Sequence, residues 1–170
     1  MRFPLYKILA LSCSGPLVID GDFKSRYETP HRPICIASDA SGIVIKTGGT
    51  AAAEKWHEGD RVFALVRPTH LTGPTRASHH AVGIGLPQPG VLAEYRVFKA
   101  TGLLAIPNYM TFDEACTLPI VGTTAWMGLN WDRPIGQSRT QGKSTVLLLG
   151  TGGVSVTALQ QATALGLTSK

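Results

Sequence analysis

The 170-residue sequence predicts an α+β protein: a β-rich body followed by the opening of a doubly wound, parallel α/β sheet. Three observations carry that reading. Short apolar runs separated by Gly and Pro fill the first two thirds of the chain. A helix-capping sequence then interrupts them at Thr111, and the closing stretch reads as a strand, a glycine turn and an amphipathic helix. Nineteen glycines and eleven prolines supply the turns that a β-rich body needs.

Taken in order, residues 5–12 form a strand and residues 20–33, with Gly21, Pro30 and Pro33, a loop. Residues 34–37 and 42–47 are short strands flanking the turn Ser38-Asp-Ala-Ser-Gly42. Gly48-Gly49 and Glu58-Gly-Asp60 turn the chain before a strand at 61–66. Residues 67–90 are rich in Pro, Gly, His and Thr without apolar periodicity and read as a surface loop. Strands at 91–98 and 103–107 complete the β-rich part. Thr111-Phe-Asp-Glu114 is a capping box, since the threonine hydroxyl can accept a free backbone N–H while Glu114 reaches back to the Thr111 amide. A second helix runs from 120 to about 129, with Ala125 and Trp126 inward, and residues 132–143 are a linker. The domains are therefore 1–110 and 111–170.

Residues 146–149 are an apolar run closed by Gly150, the pattern of a parallel strand covered on both faces. Beyond it Val154, Ala158, Leu159, Ala162 and Leu165 share one helical face, and Thr157, Gln160, Gln161 and Thr163 lie largely away from it. Within Gly150-Thr-Gly152-Gly153-Val154-Ser155 the first glycine permits the tight turn. The second lets backbone N–H groups approach a pyrophosphate at the helix N-terminus, and Ser155 stands where a third glycine would serve close packing. The context that completes a dinucleotide site is a second parallel strand and an acidic residue about twenty positions on. After Asp132 there is no Asp or Glu, and residues 167–170 look too short to form and pair another strand.

Composition excludes several classes. Hydrophobic content of 44% with 16% charged residues describes a globular chain. The net charge of +5 comes from scattered Lys and Arg without aromatic interleaving, which argues against nucleic acid and suits an anionic cofactor. Cys13, Cys35 and Cys116 give neither a disulfide framework nor a metal knuckle, so reduced thiols in a cytoplasmic protein are expected. Lys7 interrupts the apolar N-terminus and leaves only residues 8–11 continuous, too little for a signal peptide. No stretch has the length of a membrane span.

Five blocks, in this order, resemble the medium-chain dehydrogenase/reductase superfamily. They are Ala37-Ser-Asp-Ala-Ser-Gly-Ile-Val44, Glu58-Gly-Asp-Arg-Val-Phe-Ala64, Gly90-Val-Leu-Ala-Glu-Tyr95, Phe112-Asp-Glu-Ala-Cys-Thr-Leu-Pro-Ile-Val-Gly-Thr-Thr-Ala-Trp126 and Val146-Leu-Leu-Leu-Gly-Thr-Gly-Gly-Val154. The resemblance covers residues 5–166 and is nearest to the zinc-free quinone reductase and enoyl reductase-like branch. It implies a GroES-like β-rich domain and the start of a Rossmann domain. It also implies hydride transfer from NADPH or NADH to an enone, quinone or related carbonyl compound.

The resemblance assigns Gly150, Gly152, Gly153, Val154 and Ser155 to the pyrophosphate and Thr124 to the nicotinamide, with Thr123 as a second candidate. Where zinc-dependent members carry ligands, this chain has Cys13, Ser38 and Ile120, one soft ligand where about three are needed. The four-cysteine structural zinc loop is also missing, because residues 67–90 contain no cysteine. His70, His79 and His80 in that loop read either as ligands or as exposed side chains. Zinc-free relatives carry an aromatic hydroxyl after the first strand, at the place of Cys13-Ser-Gly-Pro16. Ser14 keeps a hydroxyl there without the reach, so no proton donor is identified. Asp39 has two readings, polarising a water or capping backbone N–H groups.

Set against the resemblance, the sequence reads as a truncated or mis-spliced product that lacks about thirty residues before residue 5 and most of the doubly wound sheet. Two hypotheses follow. One is an NAD(P)H-dependent reductase by descent; the other is an inactive remnant or interaction module, with a homo-oligomer formed through its exposed strand and helix as one form of it. The ligand count generates a first prediction. The purified chain binds no stoichiometric zinc after dialysis against a weak chelator, and about one zinc per chain by elemental analysis would overturn it.

Overall fold

The computed structural model describes residues 5–11, 37–70, 74–85, 87–130 and 144–169. The chain divides into two compact units, Met1–Pro119 and Ile120–Lys170. The expected strand at 34–37, Ser14 and the linker 132–143 lie wholly or mainly outside the described residues.

In the first unit β1 (Leu5–Leu11), β2 (Ala40–Lys46), β3 (Arg61–Ala64), β4 (Tyr95–Val97) and β5 (Leu103–Ala105) form one sheet in the order β4-β1-β2-β3-β5. Every neighbouring pair is antiparallel. Lys7 lies opposite both Ile43 and Tyr95, Ser41 opposite Phe63, and Val62 opposite Ala105. Strand β3 alternates as period two requires: Val62 and Ala64 are buried and Arg61 and Phe63 only partly so. Val44, Val62, Ala64, Phe98 and Leu103 make the core with Trp56, Ile84 and Val91.

The sequence reading missed α1 (Thr50–Ala53), a single helical turn where only a glycine turn is legible. It begins after Gly49, which adopts φ +68°, and continues through the Trp56 N–H to Ala52 C=O bond of 2.9 Å. That turn delivers Trp56 to the core, where Nε1 donates to the Ala100 carbonyl at 2.9 Å. A second single turn, α2 (Ala77–His80), lies inside the expected loop. The strand expected at 91–98 shrinks to β4 because its first residues bond elsewhere: Val91 N–H donates to Ala37 C=O at 3.1 Å and Ala93 N–H to Val91 C=O at 2.8 Å.

Helix α3 (Phe112–Cys116) starts at the capping box read from the sequence. Thr111 N–H donates to Glu114 Oε2 at 2.8 Å, and Glu114 N–H donates to Thr111 Oγ1 at 3.2 Å. The Thr111 amide, then its hydroxyl, holds the Glu114 carboxyl below its usual range, so the cap is intact above that range and is lost as pH falls through the lowered value. Helix α3 is fastened to the sheet of the first unit. Ser41 Oγ donates to Phe112 C=O at 2.7 Å, the Arg61 guanidinium donates to the carbonyls of Asn108 and Met110, and it lies 4.8 Å from the Phe112 ring centroid.

The second unit contains α4 (Leu118–Asn130, which begins at the end of the first), β6 (Thr145–Val146), α5 (Gly153–Ala164) and β7 (Thr168–Ser169). Several expectations fail here. Residues 146–149 do not form a strand covered on both faces, for Leu147 and Leu149 are 71% and 80% exposed. A second parallel strand does exist, since β7 pairs with β6 through Thr145 with Thr168 and Val146 with Ser169. The physical reason is the helix C-terminus. Gly166 at φ +70° donates to Thr163 C=O and Leu167 N–H to Ala162 C=O, a Schellman closure that turns the chain back at once. Leu167 and Ala162 then pack together with Leu129. Trp126, expected inward with Ala125, is 40% exposed. Val154 and Leu159 are exposed as well, and Gln161, expected to face away, donates to Gly122 C=O at 3.1 Å.

Burial of Leu103 beside exposed Leu104 on one short strand gives a stability test. Leu103→Ala is expected to cost about 3 kcal/mol, and Leu104→Ala less than about 1 kcal/mol, by urea denaturation.

Candidate functional site

The glycine turn between β6 and α5 is built from residues with separable duties. Gly150 adopts φ +79°, a backbone region that L side chains rarely enter, while a Cβ placed there would meet nothing within 4 Å. The need for glycine at 150 is therefore conformational. Gly152 is the N-cap of α5 at φ −74° and ψ 170°, ordinary extended backbone, with no side-chain cap and nothing within 4 Å of a Cβ. Among the described residues neither strain nor packing demands glycine there. The first intrahelical bond runs from Val156 N–H to Gly152 C=O at 3.0 Å, so the amides of Gly153, Val154 and Ser155 occupy the positive end of the helix.

Gly153 is the position that packing demands, because a Cβ would stand 3.1 Å from Val121 Cγ1 on α4. The sequence reading gave close packing to the position of Ser155. That side chain instead ties the helix to the segment after β6, donating from Oγ to Leu149 C=O at 2.8 Å. Val121 and Gly122 were not singled out beforehand, and the adjacent glycine pair Gly152-Gly153 was the one signal that a second helix comes close. Val154 is exposed at the turn.

Thr123 and Thr124 are exposed on α4, and Thr124 Oγ1 donates to Ile120 C=O at 2.7 Å. Thr124 lies one turn after Val121, so the contact at Gly153 brings its helix face beside the glycine turn. That much of the proposed cofactor set comes together. Ser14 lies outside the described residues.

Asp39 belongs to the first unit and is buried together with Ser38. Cys116, also buried, donates from Sγ to Asp113 C=O at 3.1 Å. Burial pushes its thiol up, and the carboxylates of Asp113 and Asp39 add to that, so it is a poor nucleophile. In the histidine loop the His70 and His79 rings stack with centroids 4.4 Å apart. Among the described residues no group of three or more His, Cys, Asp or Glu is placed to hold a metal ion, and no helix is long and apolar enough to cross a membrane.

Residues 12–108 match the alcohol dehydrogenase GroES-like domain. A zinc-type alcohol dehydrogenase-like protein of Schizosaccharomyces pombe is 37% identical over 145 residues, covering 84% of this chain and 40% of that protein. A 2-methylene-furan-3-one reductase of Solanum lycopersicum is 32% identical over 146 residues, covering 83% of this chain and 33% of that one. The chain thus spans less than half the length of these relatives. The crystal structure of an alcohol dehydrogenase superfamily protein from Novosphingobium aromaticivorans superposes with a TM-score of 0.68 at 25% identity, over 99% of this chain and 44% of that one.

The different duties of the glycines are separable by mutation. Gly150→Ala should destabilise the second unit by about 1–2 kcal/mol through left-handed backbone strain. Gly152→Ala should change stability by less than about 0.5 kcal/mol. Thermal unfolding followed by helical circular dichroism measures both, and equal effects would refute the assignment.

Proposed function

The chain belongs to the alcohol dehydrogenase GroES-like family of the medium-chain dehydrogenase/reductase superfamily, and from that premise we propose that it serves NAD(P)H-dependent reduction of an enone, quinone or related carbonyl compound, without zinc. The observation that carries this reading is the open space at Gly152, in front of the α5 amides. Among the described residues nothing lies within 4 Å of a Cβ placed there, so an anion can approach the helix N-terminus. The residues present therefore fit the phosphate half of a dinucleotide.

In this reading the Gly153, Val154 and Ser155 amides bind the pyrophosphate, and Gly150 shapes the turn that exposes them. Thr124 flanks the nicotinamide, with Thr123 as the second candidate. Bound NADPH or NADH supplies hydride to an activated C=C or carbonyl carbon. Asp39 is buried in the first unit, with Ser38 beside it. The zinc-free assignment rests on Ser38 and Ile120 at positions where the zinc-dependent pattern has ligands.

A second reading, a protein-interaction module, is favoured by the exposure of Leu147 and Leu149, large apolar side chains that a partner chain would cover. Titration calorimetry separates the two. On the reductase reading the 170-residue chain binds NADPH or NADH with a Kd of roughly 1 mM, about 4 kcal/mol, because a helix terminus supplies little more by itself. Binding is abolished by Gly152→Asp, which puts a carboxylate in the anion's place. Binding that survives Gly152→Asp, or no binding at roughly 10 mM cofactor, favours the interaction module.

A further inference from the structure

His79 sits where a proton would undo the structure that holds it. Its Nδ1 accepts the Arg76 N–H at 3.1 Å, closing the start of α2, and its own N–H donates to Arg76 C=O at 2.9 Å. Its ring stacks on His70 with an interplanar angle of 22°. Next to it, Arg67 Nη2 lies 3.3 Å from His80 Nδ1. A guanidinium only donates, so that ring nitrogen is the acceptor. Among the described residues the groups whose charges act on His79 are His70, Arg76, Arg67 and His80, all basic, and residues 61–93 contain no Asp or Glu.

We propose that α2 and the segment 81–85 after it form a pH-operated latch, closed while the His79 imidazole is neutral and released when it is protonated. Protonation removes the Nδ1 lone pair that caps α2 and adds a positive charge among two arginines and two histidines. Desolvation first, then the charges of His70, Arg76, Arg67 and His80, lower the affinity of His79 for that proton. A histidine lowered in the folded state binds fewer protons there than in the open loop. Its contribution is therefore complete above about pH 6.5 and is lost as pH falls through the lowered value.

The latch bears on the segment that carries Asp39. His80 C=O accepts Gly83 N–H at 3.3 Å, Val66 C=O accepts Ile84 N–H at 3.0 Å, and Gln88 Nε2 donates to Ala81 C=O at 3.1 Å. Gly85, at φ +93°, then passes so close to Ala37 and Ser38 that a Cβ would stand 3.2 Å from Ala37 O and 3.3 Å from Ser38 Cβ. Release of α2 removes the support of that contact from one side. The inference is independent of cofactor binding.

Amide hydrogen exchange on the 170-residue chain at pH 7.5 and pH 5.5, expressed as protection factors, tests it. Protection at His79, Gly83 and Ile84 should fall at pH 5.5, by at most about tenfold for one proton one unit below 6.5. Val44 and Leu65, bonded to Asp60 and Gly102 within the sheet region, should keep theirs. His79→Gln retains a capping acceptor without titrating and should abolish the fall. Unchanged protection at the three amides in the parent chain, or a full fall in His79→Gln, overturns the latch. Should that variant fail to fold, proton NMR of the parent chain decides: a His79 ring midpoint below 6.5 supports the latch, and one at or above 6.5 overturns it.

Discussion

Strand β2 is the element on which the first unit is hung. It pairs with β1 on one side and β3 on the other, and its leading residues Ala40, Ser41 and Gly42 are all buried. Small side chains let neighbouring elements approach, but they bring a hydroxyl into the interior, where an unbonded hydroxyl is costly. Donation from Ser41 to the Phe112 carbonyl answers that cost and fastens α3 to the sheet in the same bond. Arg61, opposite Ile43 on β3, holds the approach to α3 through the Asn108 and Met110 carbonyls. The path of the chain out of the sheet is thus fixed by polar bonds between a β-strand pair and a loop.

The second unit depends on glycines used for three different physical reasons. Gly150 and Gly166 supply left-handed backbone at the two ends of the crossover, one before α5 and one after it. Gly153 supplies close approach to Val121 on α4. Gly152 does neither, and its bareness leaves open space before a helix N-terminus. That open space before the α5 amides is the feature on which the cofactor proposal rests. The strand–helix–strand unit is complete in backbone terms although only two residue pairs close its sheet.

Local chemistry made much of this legible. The capping box at Thr111 and Glu114 is satisfied within four residues, so it forms wherever the helix forms. The turns at Gly59 and Gly150 are likewise short-range, and the positions of β1, β2, β3 and β5 follow from apolar runs bounded by such turns. The misreadings share a cause, which is bonding to partners distant in sequence. Val91 is drawn out of the expected strand by Ala37, and Gln161 is drawn inward by Gly122. Trp56, by contrast, reaches the core through a turn too short to leave a periodic signal.

The sequence alone determined the β-rich body, the glycine turn, the helix after it and the family, because each is encoded by contiguous residues whose backbone preferences and spacing act locally. Tertiary structure decided which residues those elements bury and which glycine serves packing. It made Leu147 and Leu149 exposed where an apolar run implied burial, and it gave Ser155 a bond to the Leu149 carbonyl in place of a packing role. It also brought Thr168 and Ser169 into a paired strand through Gly166, Leu167 and Ala162. The physical reason is common to all of these: burial and strand pairing are properties of neighbours in space, and periodicity along the chain records only which face is apolar, not whether anything lies against it.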